Sequence, residues 1–142
     1  EQGVRYGMPV VTQQGLVGRV DAVIANASRI KLITDSTSVV NVRLQSAEIE
    51  AQLLGSLTGD LSLNMIPLDE IIQPGDVVLT SGLGGNYPPN IFIGQVLSTQ
   101  QRENALFQTA SIQPIVDFSS INAVLVINNF QSVDISPLIP EQ

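Results

Sequence analysis

The sequence repeats itself in three ordered segments, and this repeat constrains the fold more than any single motif. Chance resemblance between β-rich sequences explains one short match, but not three in the same order. The matched segments are GMPVVT (7–12) with GDVVLT (75–80), VGRV (17–20) with IGQV (93–96), and SRIKLITDSTSVVNVRL (28–44) with ASIQPIVDFSSINAVLV (110–126). The sequence therefore predicts a tandem pair of similar units, of which the second has the longer loops.

Both units have the local pattern of β-strands. Short runs rich in Val and Ile are separated by clusters of Gly, Pro, Asn, Asp and Ser, and several runs alternate, as Val40, Val42 and Leu44 do with polar neighbours. This period of two is typical of half-buried strands. The stretch PLDEI from Pro67 is the one helical candidate, and it is short. The fold class that we expect is all-β, with two small β-barrel-like units and very little helix.

The repeat also predicts the domain boundaries. We expect a first β-barrel unit at residues 1–46, a second at 47–130, and a disordered or loosely attached tail at 131–142. The second unit has a long strand-like lead that the first lacks. A strand without a partner exposes free N–H and C=O groups, so we expect either self-association or a frayed, unpaired edge near residues 3–14.

Individual positions of the repeat have predicted roles. Gly18 and Gly94 lie inside strand patterns, where glycine typically marks a bulge or a bend, and we expect them at matching places in the two units. Six aliphatic side chains are expected to face inward: Ile30, Ile33, Val42, Ile112, Ile115 and Val124.

Composition excludes most catalytic chemistries. The chain has no Cys and no His, so it has no thiolate nucleophile, no imidazole ligand and no serine–histidine triad. Only carboxylates remain, and Asp35 and Asp117 occupy matching positions where a side chain caps the turn after a strand. We expect no catalytic residue, no cofactor and no metal site. With a net charge of -7 and scattered bases, we also expect no nucleic-acid partner.

The glycine-rich stretch TSGLGGNYPPN, from Thr80 to Asn90, is the strongest functional candidate. It lacks the Lys of a phosphate-binding loop, and its two prolines precede a strand-like run instead of a helix. Two alternatives remain. Leu83 and Tyr87 are either exposed for contact with a protein partner, or they fold back and plug the second barrel. The candidate partner-contact loop consists of Leu83, Gly84, Gly85, Asn86, Tyr87 and Pro88.

These segments together resemble the rod shape-determining MreC family. The resemblance covers about residues 3 to 128 and depends on GMPVVTQQGLVGRV, on SRIKLITD, on PGDVVLTSGLGGNYPPNIFIGQV and on the ending VDFSSINAVLVI. The loop departs from the family pattern, which usually has Gly after the Tyr-Pro pair, where this chain has Pro89 and Asn90.

The resemblance implies a non-enzymatic scaffold of the bacterial cell-elongation complex. Members of the family bind the elongation-specific penicillin-binding transpeptidase and other membrane members of that complex, self-associate, and help to position or activate peptidoglycan synthesis so that rod shape is maintained. The implied location is the periplasmic face of the inner membrane, with an N-terminal anchor that this sequence lacks. The alternative function is a β-barrel hydrolase that acts on cell-wall material through a carboxylate pair.

Overall fold

The computed structural model describes residues 6–25, 27–45, 49–118 and 125–127. These residues form ten strands and one turn of 3₁₀ helix at Leu83–Gly85, and no helix among them is long and apolar enough to cross a lipid bilayer. The strands are β1 (Pro9–Val11), β2 (Leu16–Ile24), β3 (Ala27–Leu32), β4 (Val39–Leu44), β5 (Ile49–Leu54), β6 (Leu61–Pro67), β7 (Val77–Thr80), β8 (Phe92–Gln100), β9 (Phe107–Pro114) and β10 (Leu125–Val126).

The strands form two antiparallel sheets. Six strands close into a barrel in the order β4-β5-β6-β9-β8-β7, and four form a sheet in the order β10-β1-β2-β3. Side chains alternate between buried and exposed along β5 and β9, as the period of two requires. The predicted all-β architecture is confirmed.

The barrel interior is the main hydrophobic core. Leu44, Leu53 and Leu63 are fully buried in it, and Leu16 and Ile33 from the first part of the chain join the same cluster. A smaller cluster that includes Val10 and Val20 lies beneath the four-stranded sheet. The partly buried Phe118 packs against both clusters, so the sheet and the barrel pack against each other.

The predicted repeat is confirmed in the hydrogen-bond pattern. Gly7 N donates to Val20 O at 2.7 Å, and Gly75 N donates to Val96 O at 2.8 Å. These residues are partners in the sequence matches, so the strands β1-β2-β3 of the first unit and β7-β8-β9 of the second are copies of one motif. Register shifts also fall at matching positions in both copies.

The strand that follows each copy of this motif, β4 in the first unit and β10 in the second, crosses to the other unit. Leu44 on β4 lies opposite Val78 on β7, and the matching residue Val126 on β10 lies opposite Val10 on β1. The first unit therefore contributes β4 to the barrel, and the second contributes β10 to the sheet. The boundary expected at residue 46 does not coincide with the sheets, because the hydrogen-bond partners of β4 are β5 and β7.

Two further expectations need correction. The predicted free edge near residues 3–14 is wrong for β1, which has β2 on one side and β10 on the other; residues 3–5 lie outside the described part. Ile115 is not an inward residue but is 40% exposed, because it lies on the face opposite to the buried Ile112 and Val116.

The remaining inward predictions are largely confirmed. Ile33, Val42 and Ile112 are buried, and Ile30 is partly buried against the smaller cluster. Val124 and the tail at 131–142 lie outside the described residues.

Gly18 and Gly94 occupy equivalent positions of close backbone approach. A Cβ at Gly18 would overlap the carbonyl oxygen of Lys31 on β3, and a Cβ at Gly94 would overlap that of Gln113 on β9. In each case the obstacle is backbone, which has no side-chain rotamer to relieve the overlap. The two glycines therefore let the second and third strands of each unit pack at this distance.

We expect Gly18→Ala and Gly94→Ala each to lower the free energy of unfolding by about 1–3 kcal/mol, because the added methyl group overpacks a strand pair. Urea denaturation measures this. Gly59→Asn is the matched control: its added Cβ would contact nothing, and Asn tolerates the positive φ at this turn. An unchanged midpoint for the alanine variants would contradict the equivalence.

Candidate protein-contact loop

The candidate loop is an expanded version of a tight turn in the first unit. Thr12 N donates to Gly15 O at 2.9 Å, and Thr80 N donates to Ile91 O at 2.9 Å. The same hairpin thus encloses residues 13–14 in the first unit and residues 81–90 in the second. The repeat alignment identifies the loop as an insertion on a shared scaffold, which is where binding residues are often found.

The Thr80 hydroxyl holds the base of the expanded loop together. It donates to Pro88 O at 2.7 Å and accepts from Ile91 N at 2.8 Å. Thr12 uses its hydroxyl in the matching way, accepting from Gly15 N at 3.4 Å, and it also accepts from Gln14 N at 3.1 Å. Thr80 is fully buried, so its hydroxyl replaces water as the partner of these backbone groups.

The loop backbone depends on its glycines. Gly82, Gly84 and Gly85 have φ values of 79°, 82° and 75°, a left-handed conformation that other residues rarely adopt. The turn of 3₁₀ helix at Leu83–Gly85 is followed by Pro88 and Pro89 and then by β8. The glycines therefore shape a compact loop, and no helix N-terminus follows them in the described residues.

Two side chains from β4 fasten the loop to the barrel wall. Asn41 Nδ2 donates to Leu83 O at 3.1 Å, and the Arg43 guanidinium donates to Asn90 Oδ1, with Nε at 3.2 Å. The sequence reasoning missed both residues. Because they lie more than forty positions away, only the crossing of β4 to β7 could have revealed them.

The structure separates the two apolar candidates of the loop. Tyr87 is only 6% exposed and belongs to the barrel core, so of the two alternatives for this side chain the structure supports the plug. The physical reason is the loop fold, which turns Tyr87 inward while Pro88 is held by Thr80. Burial raises the pKa of the Tyr87 phenol, and the charge of Arg19 opposes this with a smaller effect.

Leu83 is the exposed apolar side chain of the loop. It is 57% exposed, although its own carbonyl oxygen is held by Asn41. Gly84 and Asn86 are exposed beside it, Pro88 is half-buried, and Gly85 is buried. The candidate surface therefore narrows to a rigid turn that presents Leu83 to solvent.

Asp35, one of the two carboxylates weighed for catalysis, has structural partners. Asp35 Oδ1 accepts from Thr37 N at 2.8 Å and from Thr37 Oγ1 at 2.7 Å. These bonds lower the pKa of Asp35 and confirm its predicted role in capping a turn. Among the described residues, no group of three or more acidic side chains is placed to hold a metal ion.

Comparison with known proteins identifies the family. Residues 1–128 match the family model described as rod shape-determining protein MreC, barrel core. The chain belongs to the MreC family.

Two curated relatives in the MreC family show the same relationship. The cell shape-determining protein MreC of Listeria monocytogenes is 34% identical over 130 residues, which are 88% of this chain and 44% of the relative. MreC of Escherichia coli is 30% identical over 141 residues, which are 99% of this chain and 38% of the relative. The chain thus spans less than half the length of these relatives.

Solved MreC structures share the fold. MreC from Pseudomonas aeruginosa superposes with a TM-score of 0.82 at 27% identity, over 88% of this chain and 81% of that one. A complex between a penicillin-binding protein (PBP2) and MreC from Helicobacter pylori matches with a TM-score of 0.64 at 20% identity, over 76% and 67% of the two chains. The major periplasmic domain from the cell shape-determining filament MreC matches with a TM-score of 0.67 at 22% identity, over 82% of this chain and 73% of that one. At these lower identities the likeness concerns the fold alone.

Replacing Tyr87 with Ala tests its role in the core. We expect Tyr87→Ala to lower the free energy of unfolding by about 3 kcal/mol or more, because it removes a buried aromatic ring and leaves a cavity. Leu83→Ala is the comparison within the same loop and should cost less than about 1 kcal/mol, since its side chain is exposed. Equal losses in thermal and urea denaturation would contradict this assignment.

Because the pKa of Tyr87 is raised in the folded state, the free energy of unfolding should vary with pH in the alkaline range. Below about pH 10 the phenol is protonated in both the folded and unfolded states. Above that pH the unfolded chain loses the proton more readily than the folded one, so the free energy of unfolding falls as pH rises.

We expect Tyr87→Phe to reduce this alkaline fall, measured by urea denaturation from pH 8 to 11.5. Leu83→Ala, which changes no titratable group, should retain the wild-type slope. A wild-type slope in Tyr87→Phe would show that this phenol does not cause the pH dependence.

Proposed function

We propose that the chain is a non-enzymatic scaffold domain of the bacterial cell-elongation complex, which binds the elongation-specific penicillin-binding transpeptidase and so helps to maintain rod shape. Membership of the MreC family supports this, together with the complex that an MreC of the same fold forms with PBP2 in Helicobacter pylori. The periplasmic side of the inner membrane is the proposed location, in line with the periplasmic domain that shares the fold.

The observation that carries the proposal is Leu83 on a preformed loop. Thr80 and Asn41 donate to backbone carbonyl oxygens of the loop, and Arg43 donates to the Asn90 side chain, while the Leu83 side chain remains in solvent. Binding through a loop that is already ordered loses little conformational entropy. An exposed apolar anchor on a rigid turn suits contact with a protein partner better than chemistry on a small molecule.

Self-association is the second part of the proposed function. A scaffold that positions several enzymes along a cell wall needs more than one copy in contact, and an MreC of the same fold is described as a filament. We also propose, from membership of the MreC family, that the chain binds further membrane members of the elongation complex. In this role the chain acts through its surfaces and needs neither a cofactor nor a metal.

Binding of the detergent-solubilised transpeptidase to the immobilised chain tests the proposal. We expect Leu83→Ser to weaken binding by about tenfold, because an apolar anchor at an interface contributes about 1–2 kcal/mol. Leu97→Ser is the matched control, since Leu97 is a comparably exposed leucine on β8 outside the loop.

The outcomes distinguish an error in the proposed contact loop from an error in the proposed scaffold role. If both variants bind like the wild type, the loop is not the contact. If the wild-type chain captures neither the transpeptidase nor another elongation-complex protein, the scaffold role itself is contradicted.

A further inference from the structure

Exposed apolar side chains are concentrated at one end of the barrel. They lie on β6, on the segment that follows it, and at the start of β9; Ile71 is 77% exposed and Leu106 is 81% exposed. We name this surface the barrel-end patch: Met65, Leu68, Ile71, Leu106 and Phe107. Clustered apolar side chains of this kind typically mark an interaction surface.

The backbone holds the barrel-end patch in a fixed arrangement. Pro67 on β6 lies opposite Phe107 on β9. Gln108, which is buried, donates from Nε2 to Pro67 O at 2.9 Å and to Glu70 O at 2.7 Å. These bonds fasten the segment after β6 to β9, so the patch exists before any partner binds.

The charges around the patch are mostly acidic. Asp69 and Glu70 lie between two of its residues, and Glu103 lies on the turn before Leu106, where Arg102 is the neighbouring base. Two such patches facing each other would place like charges together. The patch therefore suits a partner with apolar side chains and bases.

The β2–β3 hairpin of the same chain has these properties. Residues 16–32 contain three of the six bases and one of the thirteen acids. Ile24 is 69% exposed at the end of the hairpin, and Val23 is exposed beside it. Arg29 pairs with Asp21 at 2.9 Å, but its side chain remains largely exposed. Asp35 lies near Arg29 and Lys31. Because the hairpin has more bases than these two acids can neutralise, it keeps a small net positive charge.

The repeat relates the two surfaces to each other. The β2–β3 connection at residues 25–26 corresponds to the β8–β9 connection at residues 101–106, because the flanking strands are copies of one motif. The longer connection carries Arg102, Glu103 and Leu106, whereas the shorter one is followed on β3 by Arg29 and Lys31. The equivalent hairpin ends of the two units thus differ in charge, since Arg102 and Glu103 cancel in the longer connection, and both ends carry exposed aliphatic side chains.

We propose that the β2–β3 hairpin end of one copy binds the barrel-end patch of the next copy, with Ile24 against the apolar side chains and Arg29 and Lys31 facing the acidic rim. The inference deepens the proposed function, since it depends on self-association and names its surfaces. The contact joins two different surfaces, so each copy has one of each to offer. Such a contact extends into a chain of copies unless the rotation closes a ring.

Reversing the charges of one surface at a time tests the contact. Arg29→Glu with Lys31→Glu makes the hairpin end acidic, and Asp69→Lys with Glu103→Lys makes the patch basic. We expect each double variant alone to self-associate at least about tenfold more weakly, because like charges then face each other. An equimolar mixture should regain association, since each reversed surface meets a complementary one. Sedimentation velocity over a concentration series, at low and high salt, measures this.

Matched controls separate the contact from general effects of charge and hydrophobicity. Glu50→Lys changes an exposed acid on β5 outside both surfaces and should leave association unchanged. Ile71→Ser should weaken association, whereas Leu57→Ser, which removes an exposed leucine from the β5–β6 turn, should not. Circular dichroism of every variant verifies folding.

Each outcome bears on the proposal. Lack of recovery in the mixture, or wild-type association of both double variants, overturns the pairing of these two surfaces. A wild-type chain that remains monomeric at all concentrations also overturns it. Transpeptidase binding by the same variants is measured in parallel: retained binding with failed association leaves the transpeptidase-binding role intact, and lost binding by the wild type contradicts that role independently.

Discussion

The crossing of β4 and β10 is the interaction on which the rest of the structure depends. β4 leaves the first unit to complete the barrel, and β10 leaves the second to pair with β1. Without β4, neither β5 nor β7 would have its neighbour, and the barrel could not close. Because the barrel contains the largest cluster of buried side chains, removing this crossing would expose most of the core. The two units therefore depend on each other for folding.

The same crossing builds the candidate loop. β4 supplies Asn41 and Arg43, and β7 supplies Thr80. The loop is thus held by strands from both units, although its own sequence lies in the second. The first unit has a tight hairpin where the second has a ten-residue loop, and both are built on the same pair of strands. In each, a threonine hydroxyl closes the turn, from Thr12 in the first unit and from Thr80 in the second. Insertions at hairpin ends leave the barrel undisturbed while they change the surface.

Sequence reasoning predicted the parts that local pattern determines. Gly18 and Gly94 could be matched because glycine is required wherever two backbones approach this closely. The crossing could not be predicted, because a strand with the alternating pattern of β4 fits either sheet equally well. The role of Tyr87 stayed open between two alternatives for a related reason: a loop has no period, so nothing in its sequence tells which side chain turns inward. The anchors Asn41 and Arg43 gave no local signal, since their partners are distant in sequence.

The candidate loop and the barrel-end patch are held in place by different contacts. The loop is fastened by side-chain hydrogen bonds to β4 and by the buried Tyr87, so its apolar anchor Leu83 has a fixed place. The barrel-end patch is instead fastened by Gln108, a single buried polar side chain that bonds two carbonyl oxygens. If the buried Gln108 amide lost these two acceptors, it would carry the full cost of its desolvation. This cost favours the conformation in which the segment after β6 stays bound to β9. Both surfaces are therefore ordered before binding, and a scaffold with preformed surfaces can contact two partners without one contact reshaping the other.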